Sequence, residues 1–220
     1  MNFVQTLTAV EKSRALSCAI RFLLAAILSG SQIFGAYAPF GLGFVAAAGA
    51  GMEGLSALLG LLVGALLMMP FTAAIKYIAA AILIFSVSVA FFDTKLYRKH
   101  AFLPLITAAC TAVVGFVYLM PQGIFNTDGA YFLLEIFLAG GCAVCYRMAL
   151  AIQIDAPETL ERQQLFALFV LAISLLIAVA AIPLAGRFSL GRIFSIVLVL
   201  AAGRLGGMGL GCAAGLCAGL

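Results

Sequence analysis

Residues 71–92 of this chain read FTAAIKYIAAAILIFSVSVAFF, and residues 93–100 follow as DTKLYRKH. The first stretch is apolar over a length that matches the ~20 residues a helix needs to cross a bilayer. The second is the most basic loop of the chain, and loops rich in Lys and Arg stay in the cytoplasm. Together they predict a transmembrane helix that ends at the cytoplasmic face of a membrane.

The composition of the whole chain agrees with this prediction. Hydrophobic residues make up 65% of the 220 positions and charged residues 9%, whereas soluble domains average about 25% charged residues. The net charge of +4 is spread over loops. It therefore indicates orientation in a lipid bilayer, and we expect no nucleic-acid partner.

Apolar segments cover almost the entire sequence. They occupy residues 16–36, 39–52, 54–69, 71–92, 102–120, 130–148, 165–186, 190–203 and 205–220. We therefore predict an all-α fold, a single polytopic transmembrane bundle of about 8–9 spans over residues 1–220. Segments 39–52 and 54–69 are short, and two arrangements remain open for them: each crosses the membrane, or the two form a re-entrant hairpin that turns at Glu53.

The distribution of basic residues predicts a cytoplasmic N-terminus. Lys12 and Arg14 precede the first segment, and the loop 147–164 carries Arg147 and Arg162. The loop 121–129 has no basic residue, so we expect it outside. Two arginines that fall outside in this scheme break the rule, and we accept them because the earlier loops agree; they are Arg187 and Arg192.

The chain is apolar up to its last residue. The run from Gly206 to Leu220 has no polar flank. We therefore expect a membrane domain truncated before a final helix, with any soluble effector beyond residue 220.

Intramembrane charge is the strongest functional indicator in such a chain, because it needs a partner or a cavity. Lys76 lies five residues after Phe71, and Glu135 lies five after Ala130. At ~1.5 Å per residue, both lie ~7 Å below the outer interface. We predict an ion pair that ties two helices together; the alternative is that each side chain reaches back to the interface.

Two further features are candidates for packing or binding. Glu53 sits at a glycine-rich turn, Gly49-Ala50-Gly51-Met52-Glu53-Gly54, and is either a re-entrant binding site or part of an interfacial turn. Small residues at four-residue spacing line one helix face and favour close packing, within the chain or between copies. The C-terminal stripe with this spacing comprises Gly207, Gly211, Gly215 and Gly219.

No group of residues predicts catalysis. The six cysteines lie in apolar runs and are expected to be packing residues, including the formal C-x-x-C of Cys142 and Cys145. His100 is the only histidine, so a zinc site is not expected. We therefore predict no enzyme activity, no catalytic or metal-binding residue and no cofactor in this chain.

One ordered set of segments resembles a known family. It begins with Tyr37-Ala38-Pro39-Phe40-Gly41-Leu42-Gly43-Phe44, continues through residues 55–64 and Lys76-Tyr77-Ile78, and closes with residues 206–215. Their order and spacing look like the N-terminal membrane region of stage II sporulation protein E. The resemblance covers nearly the whole chain.

The resemblance implies a function by association. In that family about ten helices precede a cytoplasmic region involved with the division protein FtsZ and a manganese-dependent serine phosphatase of the PP2C type. That phosphatase acts on an anti-sigma-factor antagonist and so activates the forespore sigma factor. This chain would then be a self-associating anchor that holds a phosphatase, absent from residues 1–220, at the septal membrane of a sporulating bacterium.

Two other classes of function compete with the anchor. A small transporter or transporter subunit would use a broken-helix site around residues 39–69, with Lys76 and Glu135 near it. An intramembrane enzyme would need clustered His, Asp or Glu residues, which the sequence lacks. We therefore rank the anchor first and the transporter second.

Overall fold

The computed structural model describes most of the chain. It covers residues 3–33, 37–97, 99, 101–120, 128–151, 162–180, 183–184 and 188–189, together with residues 196, 199–200, 203–204, 207–209, 211–212 and 215. For residues 3–13, 128, 180, 183–184 and 188–189 only the backbone is described.

The fold is helical, as predicted, apart from one very short strand pair. The described elements are, in chain order, α1 (Phe3–Ser29), α2 (Pro39–Ala48), α3 (Met52–Met68), α4 (Phe71–Ala90), α5 (Phe102–Leu119), α6 (Asp128–Leu150), α7 (Arg162–Ala180), β1 (Pro183–Leu184) and β2 (Phe188–Ser189). The strands pair antiparallel, with Leu184 opposite Phe188.

Four of these helices are long and apolar enough to cross a membrane, within the part of the chain that the structure describes. They are Phe71–Ala90, Phe102–Leu119, Gly129–Leu150 and Arg162–Val179. Only 17% to 39% of the residues in the most apolar stretch of each span are buried within the bundle. Their outer surfaces carry large apolar side chains such as Val117 and Phe137, as expected of helices that contact lipid.

The helix boundaries correct the predicted segments in two places. The first segment was expected to run to residue 36, but α1 ends at Ser29, and Ile33 and Tyr37 pair with each other in an isolated antiparallel bridge. The segment 165–186 was expected to be one span, but α7 ends at Ala180 and the strand pair follows. Pro183 accounts for this stop, since proline cannot supply the amide that continues a helix.

The shortest helix lies at the centre of the bundle. Helix α2 has ten residues, nine of them buried, and it contacts α1, α3, α4, α5 and α6. Ten residues span ~15 Å, about half of the hydrocarbon core. Gly49 and Gly51 reverse the chain after α2 with φ angles of 75° and 104°, which side chains larger than hydrogen rarely adopt.

Helices α1 and α3 pack closely through glycine. A methyl group at Gly60 would overlap the backbone carbonyl of Phe22, and one at Gly64 would overlap that of Ala26. The two contacts share the same sequence offset, so the helices run in parallel. Glycines four residues apart on one face allow the two backbones to meet.

The C-terminal glycines lie in a second close contact. Residues 203–204 and 207–209 are helical, and Gly207, the first residue of the second group, has a φ of 74°. Gly211 faces the backbone of Gly203, and Gly215 lies near Val199. The last described residues therefore double back on the preceding ones.

We predict that Gly64→Ala destabilises the bundle although alanine favours helix formation. The added methyl group would push α1 and α3 apart, at a cost of about 1–3 kcal/mol. The readout is the apparent melting temperature of the purified protein in detergent. Gly141→Ala is the matched control, because a methyl group at Gly141 meets no atom within 4 Å; equal melting temperatures for the two variants would contradict the packing argument.

A buried charge network as the candidate functional site

The predicted Lys76–Glu135 ion pair is present. Lys76 Nζ lies 2.7 Å from Glu135 Oε2, and the two residues are only 8% and 1% exposed. The two side chains contact each other in the interior of the bundle, whereas the alternative had each of them extending separately. The pair joins α4 to α6 across 59 residues of sequence.

The other carboxylate oxygen is held by a residue that sequence reasoning missed. The Tyr77 hydroxyl donates a hydrogen bond to Glu135 Oε1 at 2.6 Å, and the Ala38 backbone N–H donates to the same hydroxyl at 2.9 Å. Both carboxylate oxygens of Glu135 therefore accept a hydrogen bond. Through Tyr77 the network reaches the residue that precedes α2.

Tyrosine rings surround the ammonium group. Lys76 Nζ lies 4.9 Å from the ring centroid of Tyr77, 5.2 Å from that of Tyr37 and 6.0 Å from that of Tyr118. Such distances allow an attractive cation–π interaction, which strengthens where water is excluded. Tyr131 stacks in turn beside Tyr37, with centroids 6.1 Å apart.

The orientation of α2 adds to the positive electrostatic potential at the Glu135 carboxylate. The N-terminus of a helix carries a partial positive charge, and Ala38 presents its N–H at that end of α2. Glu135 thus faces the ammonium group of Lys76, the O–H of Tyr77 and, through Tyr77, the partial positive charge at the N-terminus of α2. The site is therefore a carboxylate enclosed by hydrogen-bond donors. Such a site can hold helices together while it stays closed, and its carboxylate could bind a proton or a cation if Lys76 were released.

Glu53 belongs to a different ion pair at the opposite end of α2. Its Oε2 lies 2.6 Å from Arg21 Nη2, and Arg21 Nη1 donates to the Ala48 carbonyl at 3.3 Å. The hairpin alternative placed the reversal of the chain at Glu53, whereas the chain reverses at residues 49–51 and Glu53 lies in the first turn of α3. The glycines at 49 and 51 tolerate the positive φ angles that this turn requires, which explains the shift.

The glycine stripe is only partly a packing surface. Gly211 and Gly215 face the preceding helical residues, whereas a methyl group at Gly207 would meet no atom within 4 Å. Gly207, Gly211 and Gly215 all have helical backbone. Gly219 lies outside the described residues, so the stripe as a whole stays a prediction.

A second polar contact links α6 to α7. The Tyr146 hydroxyl donates to Ser174 Oγ at 2.6 Å, and the Ser174 hydroxyl donates to the Val170 carbonyl at 2.7 Å. Cys142, one turn before Tyr146, packs against Gly43 of α2. The cysteine thus occupies a packing position in the bundle.

A sequence signal existed for Tyr77 but not for Arg21. Tyr77 directly follows the intramembrane lysine, and buried tyrosine hydroxyls need a partner. For Arg21, nothing in the sequence indicates that its side chain meets the Ala48 carbonyl, 27 residues later.

Comparison with family models, curated protein sequences and solved structures gave no significant match.

We predict strong coupling between Lys76 and Glu135. Lys76→Met or Glu135→Leu alone leaves one buried charge without its partner, which costs about 3–5 kcal/mol. The double variant removes both charges and should recover most of the loss of apparent melting temperature in detergent. Lys95→Met, in an exposed loop, is the control; additive losses in the double variant would argue against the pair.

Proposed function

We propose that this chain is a membrane anchor domain, with the Lys76–Glu135 network as a structural tie. The observation that carries the proposal is the closure of the network, because Glu135 is 1% exposed and both its oxygens accept hydrogen bonds within the protein. A transport site must exchange its internal partners for a solute. A closed, saturated pair instead holds α4 and α6 at one depth.

The exterior of the bundle supports the same proposal. Large apolar side chains are exposed along the helices, for example Leu67 at 79% and Phe137 at 78%. In water such surface would promote aggregation, whereas in a bilayer it faces lipid or another copy of the chain. A rigid, lipid-covered bundle suits a domain that holds attached domains at a membrane.

We propose further that the attached domain is a phosphatase of the stage II sporulation protein E type. The support is the ordered resemblance over residues 37–47, 55–64, 76–78 and 206–215. The anchor would confine the phosphatase to the septal membrane, and self-association would raise its local concentration without new chemistry. FtsZ, the anti-sigma-factor antagonist and manganese would all bind outside residues 1–220.

The proposed topology has about 8–9 segments and a cytoplasmic N-terminus. Its support is the basic loop after α4 together with Arg14 before the apolar part of α1. In the same scheme α2 is a half-length helix that reaches the cytoplasmic side at residues 49–51. Lys76 and Glu135 then lie in the outer half of the membrane.

The orientation is tested by cysteine labelling in a background without native cysteines. Lys95→Cys should react with a membrane-impermeant maleimide only after the cells are permeabilised, since the loop is placed in the cytoplasm. Gln122→Cys, in the loop placed outside, should react in intact cells. The reverse pattern would reject the orientation.

A transporter is the second candidate, and α2 is the observation that favours it. This helix is short and buried, and its N-terminus is linked to an intramembrane carboxylate through Tyr77. Discontinuous helices with such termini form ion and substrate sites in secondary transporters. In that case Glu135 would release Lys76 during the transport cycle.

One pair of assays separates the two functions. We expect residues 1–220 fused to a fluorescent protein to accumulate at the septal membrane of sporulating cells. The Lys76→Met/Glu135→Leu variant should do the same, since it retains the packing without the charges.

Proteoliposomes with an internal pH-sensitive dye should show no proton flux above protein-free vesicles. Flux that Glu135→Gln abolishes, or a uniform distribution of the fusion, would refute the anchor proposal.

A further inference from the structure

A cavity lies between α1 and α3 at the end of the bundle where α2 turns into α3. Its volume is about 330 Å³, and its lining residues are Arg14, Cys18, Met52 and Glu53. The carboxylate of Glu53 is also paired with Arg21, whose Nη1 holds the end of α2. The cavity therefore lies beside the Arg21–Glu53 ion pair.

The two charged residues of the cavity have opposite signs. Within the described residues, Arg14 forms no salt bridge, and its side chain is exposed. Glu53 has a side chain that is 41% exposed although it contacts Arg21. A ligand that satisfies both groups must present an anion to Arg14 and a cation with N–H donors to Glu53.

The surroundings of the cavity are apolar. On α1 the exposed residues of the next turns include Leu16, Ile20 and Leu23, and on α3 they include Leu55 and Leu59. Charged side chains followed by exposed apolar turns are the pattern of a helix surface that passes from lipid headgroups to acyl chains. The ligand is therefore amphipathic, with its charged end at Arg14 and Glu53.

We propose that this cavity binds an ethanolamine phospholipid, with the phosphate at Arg14 and the ammonium at Glu53. A guanidinium donates two parallel hydrogen bonds to a phosphate. A primary ammonium donates to a carboxylate, whereas the trimethylammonium of choline has no N–H, and glycerol headgroups carry no positive charge to offset Glu53. The charge complement thus favours ethanolamine over choline and glycerol headgroups. This inference does not depend on the anchor or transporter function.

Lipid retention tests the site directly. The full chain is reconstituted with equal parts of phosphatidylethanolamine, phosphatidylglycerol and phosphatidylcholine, extracted in mild detergent, and its bound lipids are quantified by mass spectrometry. Since an exposed ion pair contributes up to about 1 kcal/mol, we expect phosphatidylethanolamine to be enriched about fivefold over each competitor.

Substitutions at Arg14 and Glu53 make the assignment specific. Arg14→Gln should lower the enrichment to the bulk ratio while leaving the Arg21–Glu53 pair in place, and Arg14→Lys should keep most of it. Glu53→Gln should abolish the preference over phosphatidylglycerol, and Lys95→Gln, away from the cavity, should change nothing. Enrichment of phosphatidylglycerol in the native protein, no enrichment, or equal enrichment in all variants would overturn the proposal.

Discussion

A charged side chain in the interior of a membrane must find its counter-charge inside the protein, and this constraint organises the bundle. Lys76 and Glu135 lie 2.7 Å apart with almost no exposure. Because the bilayer core offers no water to replace either partner, the pair sets the relative depth of α4 and α6. The Tyr77 hydroxyl donates to Glu135 and accepts from the Ala38 backbone N–H. The buried carboxylate therefore also helps to position the residue that precedes α2.

Helix α2 shows how the two charge networks work together. Its N-terminus is linked through Tyr77 to the carboxylate of Glu135, and its last carbonyl groups include that of Ala48, which accepts from Arg21. A negative group thus lies near the positive end of the helix dipole and a positive group near the negative end. A ten-residue helix cannot cross the bilayer alone, so these contacts and its five neighbouring helices determine where it lies.

The sequence predicted the helical class and the Lys76–Glu135 pair, and four of its 8–9 predicted segments are helices long and apolar enough to span a membrane. Each of these follows from local length or from equal depth along two helices. It left open the crossing of residues 39–52 and did not predict the Arg21–Glu53 pair. Those features depend on how α1, α2 and α3 meet, and helical periodicity carries no information on that contact. The same limit applies to the C-terminal glycines: their four-residue spacing does not reveal that Gly211 and Gly215 lie against Gly203 and Val199.

The distribution of close contacts decides between a rigid and a moving bundle. Glycine brings the backbones of α1 and α3 together, and Gly43 brings α2 against α6 near Cys142. Sliding either interface by one residue would place side chains where only hydrogen fits, so these helices do not shift in small steps. Motion of α2 would require release of both its ends and of its glycine contact at once. The arrangement therefore favours a domain that holds its shape, which is the physical requirement of an anchor and an obstacle to alternating access.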